Sequence, residues 1–389
     1  MSPPKVLIVG AGIGGLTAAI ALRAKGINVE VYDAAPHLAN SGTGLGLASN
    51  ATKVLRALGI DLGFGERGCA LEHLELRTAR GKMIRALPIQ SITAELGDPV
   101  VNIHRSELMR ALLNAAGDTP IHFGAQIVDF DTDDDQGIRA RCADGSVVRA
   151  DVLIGADGIR STIRSKIAGA APPTHCGYVI WLATVPFSHP RVVTGYAGHY
   201  WGNGQRFGLV DIGGGRVYWW GSRNMPVEQA RSWRGGKTEV SAAFGGWAPE
   251  IVDVIERTPD HTILTVPALD RPFLKQWGRG PVSLLGDAAH PMQTSLGQGA
   301  SSAVEDGYVL AEAIARVSDP VAALRRYEDL RRDRARMLVR SSRRYSRLEQ
   351  VQNPVARAAR DLGVRCAPTW FLKWHNIRPM RFDLAWDAR

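Results

Sequence analysis

The stretch Lys5-Val-Leu-Ile-Val-Gly-Ala-Gly-Ile-Gly-Gly15 decides the fold, because it joins a strand-like apolar run to a glycine-rich turn. The next residues, 16–25, have helical character, and Asn28-Val-Glu-Val-Tyr-Asp33 is a second strand-like run. A strand, a helix and a strand in this order predict the start of a parallel sheet that is buried on both faces. The sequence therefore indicates an α/β protein with a Rossmann-like first domain.

The glycines of this turn have the spacing Gly10-x-Gly12-x-x-Gly15, which is typical of dinucleotide binding. The first glycine allows the tight turn, the second lets the backbone approach a pyrophosphate, and the third lets helix and sheet pack closely. Asp33 follows 18 residues after the last glycine and is expected to accept hydrogen bonds from ribose hydroxyls. The motif does not distinguish FAD from NAD. We assign to the cofactor Gly10, Gly12, Ile13, Gly14, Gly15 and Asp33.

The composition is that of an ordinary globular protein, with 389 residues, 45% hydrophobic and 22% charged. The net charge is +9, and much of the excess lies in residues 325–347, which we interpret as a long helix with a solvated basic face. No nucleic-acid recognition motif accompanies this charge, so no nucleic-acid partner is expected.

The four cysteines are scattered without metal-ligand spacing, which indicates reduced thiols, no metal and a cytoplasmic location. No apolar run reaches about 20 residues, so we expect no transmembrane helix and no membrane partner. A monomer or a homodimer is equally compatible with the sequence.

The composition changes after residue 174 to aromatic and β-branched strand patterns at 177–187, 195–201, 206–212 and 217–222. These runs predict an inserted antiparallel sheet. Residues 121–150 predict a short antiparallel meander with a turn at 133–137. The run Val282-Ser-Leu-Leu285 returns to the buried parallel pattern, so the first domain is discontinuous. A helix at about 298–315 and the long Arg-rich helix follow.

Two later motifs carry the chemistry, namely Gly155-Ala-Asp-Gly-Ile-Arg-Ser-Thr-Ile-Arg164 and Leu285-Gly-Asp-Ala-Ala-His290, which continues to Gly297-Gln-Gly299. With the opening motif, they resemble the group A flavoprotein aromatic hydroxylases, which include p-hydroxybenzoate, salicylate and urate hydroxylases. The resemblance covers the chain to about residue 345. It implies FAD as cofactor, NAD(P)H as co-substrate and O₂ as oxidant.

The resemblance also implies a domain organisation. A GR2-type FAD-binding domain would comprise residues 1–72, 99–174 and 276–318, and a substrate domain 73–98 and 175–275. A C-terminal helical segment would span 319–389. Its tail, after Gln352, either caps the substrate domain or forms a subunit contact.

Several cofactor residues are implied by position in the family motifs. Asp287 corresponds to the aspartate that binds the ribityl chain, and Arg105 resembles an arginine on the flavin side of the fold. Thr294 stands where the family commonly has proline, so the loop beside the flavin is either looser or makes a polar contact to flavin or substrate. The remaining implied cofactor residues are Asp157, Gly158, Arg160, Gly297, Gln298 and Gly299.

Arg206 and Tyr218 lie on adjacent predicted strands and resemble substrate-side residues of the urate hydroxylase branch. An arginine there could hold an anionic substrate through charge-assisted hydrogen bonds. His290 is the candidate general base, although its place in the motif favours support of the loop. Further pocket candidates, for which sheet packing is the alternative interpretation, are Leu47, Tyr178, Trp181, His199, Trp220 and Thr294.

The resemblance thus implies an FAD-dependent monooxygenase that forms a C4a-hydroperoxide on the flavin and hydroxylates a small aromatic or heteroaromatic substrate. Hydroxylation or epoxidation of a larger polycyclic or specialised metabolite is the alternative. A flavin-dependent halogenase would need Trp-x-Trp-x-Ile-Pro, and Trp181-Leu-Ala-Thr-Val-Pro186 lacks the second Trp and the Ile. A non-catalytic FAD-fold protein is disfavoured because all three motifs are intact.

Overall fold

A computed structural model describes residues 3–38, 42–63, 65–133 and 137–386. The strands, numbered in chain order, are β1 Val6–Val9, β2 Val29–Asp33, β3 Gly44–Leu47, β4 Gly68–Ala70, β5 His73–Thr78, β6 Met83–Leu87, β7 Val101–His104, β8 Ile121–Phe123, β9 Ile127–Asp133, β10 Gly137–Cys142, β11 Val147–Ala150, β12 Val152–Gly155, β13 Thr174–Pro186, β14 Tyr196–Trp201, β15 Gln205–Asp211, β16 Arg216–Asn224, β17 Leu264–Asp270 and β18 Val282–Leu284. The helices are α1 Ile13–Ala24, α2 Ser49–Ala57, α3 Ile89–Leu96, α4 Arg105–Ala116, α5 Thr162–Ala168, α6 Val227–Ser232, α7 Lys237–Phe244, α8 Pro249–Arg257, α9 Gly299–Arg316, α10 Pro320–Glu349, α11 Pro354–Cys366 and α12 Thr369–Met380.

A parallel sheet with the order β18-β12-β1-β2-β8 forms the centre of the first part of the fold. Strand β1 is in the middle, with Val6 opposite both Val152 and Val29, and all four of its residues are buried. This arrangement explains why the strand is apolar without alternation. The predicted α/β class with a Rossmann-like domain is confirmed.

The meander that the sequence predicts at 121–150 is partly wrong. Strands β9, β10 and β11 do form an antiparallel three-stranded sheet. Strand β8 instead pairs in parallel with β2, Ile121 opposite Val31, because helix α4 returns the chain to that edge of the parallel sheet. The turn residues 134–136 lie outside the described residues.

The inserted sheet has seven strands in the order β17-β13-β16-β15-β14-β5-β6. Strands β13 to β16 lie where the sequence predicts them, and β5 and β6 join from much earlier in the chain. Side chains alternate between two faces. One face, with Trp181, Phe207 and Trp219, packs into a core with Phe244 and Ile251 of α7 and α8. The other face is open to a cavity.

The C-terminal helices complete the molecule. Helix α10 packs along α9, and α11 and α12 pack against β6 and α3 at one edge of the seven-stranded sheet. Among the described residues, no helix is long and apolar enough to cross a membrane.

Arg331 is an exception to the predicted solvated face of the Arg-rich helix, because it is buried and paired with two carboxylates of α9. Its Nη1 lies 2.5 Å from Glu305, and its Nε donates to Asp306 at 2.6 Å. Asp306 also accepts from the Gly286 backbone N–H at 3.0 Å and contacts Nε2 of His290 at 2.6 Å. Burial alone raises the pKa of Asp306, but His290 and Arg331 outweigh it and lower the pKa to about 2.

Replacing Asp306 with Asn should lower the free energy of unfolding by about 3 kcal/mol at neutral pH, because buried Arg331 and His290 lose a charged partner. Since the folded-state pKa of Asp306 lies below the ordinary value of 3.8, its contribution is complete above about pH 4 and is lost as the pH falls through about 2. Urea titrations of wild type and D306N should therefore converge at acid pH. The control D333N removes an exposed carboxylate of α10 that pairs with Arg336 and should change stability by less than about 0.5 kcal/mol. Equal losses in both variants would contradict this interpretation.

Candidate functional site

A cavity of about 1230 Å³ extends from the glycine-rich turn, past the Gly286–Gly299 segment, to the open face of the seven-stranded sheet. It exceeds the roughly 300–1,000 Å³ of a typical small-ligand pocket. Its walls include the first residues of α1, the loop before α9, strands β13 to β16 and the C-terminal helices. The cavity is large enough to hold a cofactor and a second molecule side by side.

The glycine-rich turn has the geometry that the sequence predicts. Gly10 has φ +112°, and a side chain there would lie 2.9 Å from the backbone nitrogen of Asp157. A side chain at Gly15 would clash with the carbonyl of Gly10. A Cβ at Gly12 would meet nothing within 4 Å, and Gly12, with Ile13 and Gly14, lines the cavity at the start of α1. This helix N-terminus can therefore hold an anionic group.

Two of the predicted acidic residues, Asp33 and Asp157, accept hydrogen bonds from backbone around this turn. Asp33 accepts from the backbone N–H groups of Ala11, at 2.6 Å, and Ala35, at 2.8 Å. Asp157 accepts from Thr162 at 2.7 Å, at the start of α5, and burial raises its pKa. Their carboxylates therefore stabilise the turns that surround the cavity.

The second motif contains two arginines with different surroundings. Arg160 is exposed, close to Gly158, which lines the cavity. Arg164 is buried and donates from Nη1 to the carbonyls of Ala288, at 2.9 Å, and Ala289, at 3.0 Å, and from Nη2 to Pro272 at 2.9 Å. Arg164 therefore holds the loop that carries Asp287.

The third motif presents Asp287 to the cavity from a 3-10 turn at Gly286–Ala288. Burial within the protein raises the pKa of Asp287, while the nearby charges of His290 and Arg105 act in the opposite direction. Gly297 has φ +61°, and Gly297 and Gly299 line the cavity where α9 begins. Gln298, between them, is the N-cap residue of α9 and is buried.

His290 is not among the described residues that line the cavity, which argues against its candidate role as a general base. The imidazole is buried, contacts Asp306 at 2.6 Å and packs against Trp277 with ring centroids 5.1 Å apart. Its contacts join the loop to α9, so it supports the loop, as the motif position favours.

Arg206 lies on the cavity face of β15 and is buried. Most N–H donors of its guanidinium group are occupied by other side chains of the protein. Its Nε donates to Ser222 at 3.2 Å, and its Nη1 donates to Ser295 at 2.9 Å and forms an ion pair with Glu349 of α10. Its Nη2 donates to Thr294 at 3.4 Å. The threonine that stands where proline is common thus contacts Arg206, whereas either a looser loop or a contact to flavin or substrate was expected from the sequence.

The other predicted pocket residues fall into two groups, those that line the cavity and those that do not. Tyr218, His199 and Trp220 line the cavity, and the rings of His199 and Trp220 meet edge to face at 5.4 Å. Burial, with the nearby charge of Arg206, lowers the pKa of His199 to about 4, so its imidazole is neutral at neutral pH.

Three predicted pocket residues are misplaced by the sequence analysis. Trp181 points to the opposite face of β13, where it donates to the carbonyl of Gly235 at 2.9 Å, because odd-numbered residues of that strand face α7 and α8. Leu47 is buried in the core of the parallel-sheet domain. Tyr178 lies behind Arg206, whose guanidinium carbon is 5.9 Å from the ring centroid.

Comparison with known proteins identifies the family. The profile of the family described as FAD binding domain matches residues 4–342. The chain belongs to the FAD binding domain family. The predicted cofactor FAD and the predicted resemblance to the flavoprotein hydroxylases are confirmed.

Relatives of this FAD-binding domain protein cover nearly all of its length. Aurachin C monooxygenase/isomerase of Stigmatella aurantiaca is 37% identical over 351 residues, 90% of this chain and 91% of that protein. The 6-hydroxynicotinate 3-monooxygenase of Bordetella bronchiseptica is 31% identical over 361 residues, 90% of this chain and 94% of that protein. A crystal structure of Klebsiella pneumoniae HpxO complexed with FAD and uric acid superposes with a TM-score of 0.89 at 28% identity, covering 97% and 96% of the two chains. The predicted function, an FAD-dependent monooxygenase, is confirmed.

The residues around the cavity fit FAD. Asn102 of β7 lines the cavity, and its buried Nδ2 has no hydrogen-bond partner within the described part of the chain. The Nε2 of Gln298 is likewise buried without a partner there. Buried amide donors of this kind require acceptors, and the carbonyl oxygens of an isoalloxazine ring are suitable ones. Gly12 and Asp287 would serve the pyrophosphate and the ribityl chain.

Sequence reasoning missed Asn102 and Glu349, and it left open whether the tail after Gln352 caps the substrate domain, where α11 and α12 line the cavity. The glycine-rich run Gly42-Thr-Gly-Leu-Gly46 was an available signal for the wall at β3. No sequence signal pointed to Glu349, because its partner Arg206 lies 143 residues away in the chain.

Replacing Arg164 with Gln should weaken FAD binding by about tenfold, because three carbonyls of the Asp287 loop and its surroundings lose charged donors. R164K, which keeps the charge but not the three-way geometry, should lose less. Titration of the apoprotein with FAD, followed by flavin fluorescence, measures this. The control R231Q changes an exposed arginine of α6 that does not line the cavity, and it should leave FAD affinity unchanged. A loss in R231Q equal to or larger than that in R164Q would reject the positioning role.

Proposed function

We propose that this monooxygenase uses NAD(P)H and O₂ to oxygenate a neutral aromatic or heteroaromatic compound that carries an apolar side chain. The observation that supports this most strongly is the cavity itself, which joins the Asp287 loop, a neutralised arginine and an apolar extension. One oxygen atom enters the substrate and the other leaves as water, with two electrons from NAD(P)H.

When bound, FAD supplies the transfer of electrons from NAD(P)H to O₂. The protein supplies the environment. The N-terminus of α9, beside Gly297 and Gly299, would stabilise negative charge on a bound flavin. Ile180, Leu182 and Trp220 would exclude water from this part of the cavity, and this exclusion would suppress wasteful release of hydrogen peroxide.

The ion pair between Arg206 and Glu349 argues for a neutral ring at the inner end of the pocket. Both side chains are buried, so the positive charge of Arg206 is balanced before a substrate arrives. An anion would add a second negative charge beside Glu349 at a site with little remaining donor capacity. Burial raises the pKa of Glu349, opposed mainly by Arg206, and this reflects the cost of keeping that carboxylate charged. The structure thus argues against the anionic substrate that the sequence suggests for Arg206.

The cavity continues beyond this pair into an apolar extension. One wall is formed by Leu74, Leu76 and Leu87 of β5 and β6. The other is formed by Val364 of α11 and by Leu372 and Met380 of α12. Apolar contacts of this kind stabilise a bound alkyl or prenyl chain by about 0.8 kcal/mol per CH₂. This extension favours the larger specialised metabolite over a small single-ring substrate.

The substrate class can be tested by NAD(P)H and O₂ consumption of the FAD-loaded protein with matched ring compounds, with product mass as the second readout. The named substrate of one relative, 6-hydroxynicotinate, is a carboxylate, so ring carboxylates form the comparison set. We expect neutral alkyl-substituted rings to stimulate oxidation, with KM falling by about fourfold per added CH₂ over the first few carbons, and a product heavier by one oxygen. Slow oxidation with every compound, or best stimulation by short carboxylates, would contradict the proposal.

Replacing Glu349 with Gln should tighten binding of salicylate by about tenfold relative to salicylamide, because Arg206 regains an unbalanced charge. Lowering the pH should also tighten salicylate binding to the wild type, because protonation of Glu349 leaves the charge of Arg206 unbalanced. The raised pKa of Glu349 means that this protonation begins at a higher pH than for an ordinary glutamate. E349Q should lack that pH dependence. Perturbation of the flavin absorption spectrum gives both dissociation constants. D329N, an exposed carboxylate of α10, is the control, and an equal change in D329N would refute the charge argument.

A further inference from the structure

Helices α11 and α12 expose a group of large apolar side chains to solvent. Contiguous exposed apolar patches are uncommon on globular proteins and often mark interaction sites. We propose that this surface, formed by Val355, Leu362, Trp370, Phe371 and Trp374, docks the protein on an anionic membrane surface. Because no segment is apolar for long enough to span a membrane, no membrane partner was expected from the sequence. Docking in the plane of the interface requires no spanning segment.

Apolar and small side chains recur along an exposed face of α11. Val355, Ala359, Leu362 and Cys366 recur at spacings of four, three and four residues and therefore share one face. Val355 is 76% exposed and Leu362 is 61% exposed, whereas Arg360 is buried and stacks on Trp201. The helix thus has its apolar face outward and a charged side chain inward, the reverse of an ordinary surface helix.

Helix α12 adds two tryptophans to the same exposed surface. Trp370 is 71% exposed and Trp374, one turn later, is 52% exposed, with Phe371 beside them at 41%. Indole rings combine an apolar body with an N–H donor and are enriched where a membrane meets water. An exposed pair of tryptophans one turn apart suits that environment better than bulk water.

The charge around this surface complements anionic lipid. Residues 354–380 contain five Lys and Arg and one acidic residue, Asp361. Arg365 and Arg378 on the two helices are exposed, as are Arg344 and Arg347 at the end of α10. Each basic residue near an anionic bilayer contributes about 1 kcal/mol of attraction. Two copies of this chain that met through the same surface would instead bring like charges together.

The docking surface is continuous with the cavity. Phe371 and Leu372 of α12, and Ala367 in the turn before it, also line the apolar extension. One helix pair therefore forms both a wall of the cavity and the exposed surface. If the proposed function holds, a substrate with an apolar chain could enter from the bilayer, but the docking itself does not depend on that function.

The test is co-sedimentation of the FAD-loaded protein with phosphatidylcholine vesicles, with and without phosphatidylglycerol, together with tryptophan fluorescence. We expect binding to the anionic vesicles with a blue shift, and much weaker binding to phosphatidylcholine alone. W370S/W374S should weaken binding by about tenfold or more, and R365Q/R378Q by about fivefold for each arginine. All of these side chains are exposed, so unchanged FAD content and circular dichroism should show that the variants fold.

The control V147S removes an apolar side chain that is 56% exposed on the separate sheet of β9 to β11, and it should leave vesicle binding unchanged. Absence of binding to anionic vesicles would overturn the proposal. So would a dimer, measured by analytical ultracentrifugation, that W370S/W374S dissociates while vesicle binding stays negligible, because a second copy would then be the occupant. None of these measurements requires turnover, so their failure is distinguishable from failure of the proposed function.

Discussion

The carboxylate of Asp306 is approached from three sides, by the backbone N–H of Gly286, the imidazole of His290 and the guanidinium of Arg331. Gly286 and His290 belong to the loop that carries Asp287, and Arg331 belongs to the long helix α10, while Asp306 belongs to α9. A charge buried at this depth is stable only when it is fully paired. The position of Asp287 in the cavity therefore depends on this buried network and on the hydrogen bonds that Arg164 donates to Ala288 and Ala289 of the same loop.

The substrate side of the cavity depends on a different constraint, namely that successive side chains of a strand point to opposite faces of the sheet. The same sheet sends Trp181, Phe207 and Trp219 into a closed core and presents Arg206, Tyr218 and other side chains to the cavity. Helix α10 then adds Glu349, which neutralises Arg206. Long-range elements thus set the charge of the pocket, and α11 and α12 set its length. Family membership leaves both properties free to vary, so relatives with one flavin site can take different substrates.

Features that depend on residues close together in the sequence were predicted, and features that depend on contacts between distant segments were not. The glycine turn and the two later motifs are local patterns, so they predicted the parallel sheet and the FAD cavity wall. Strand patterns placed Arg206, Tyr218 and Trp220 on one sheet, but Trp181 was assigned without attention to strand parity. The buried role of Arg331 and the Arg206–Glu349 pair could not be predicted, because each joins segments that meet only after packing. The fate of the tail after Gln352 was open for the same reason.

The central claim is that the FAD-loaded protein transfers one atom of O₂ to a ring compound bound in this cavity. The most direct test is turnover under ¹⁸O₂ with the compound that stimulates NAD(P)H oxidation most strongly. The account predicts a product that carries one ¹⁸O atom, formed in proportion to the NAD(P)H consumed. A product labelled only from water, or complete recovery of the label in hydrogen peroxide with every ring compound, would contradict it.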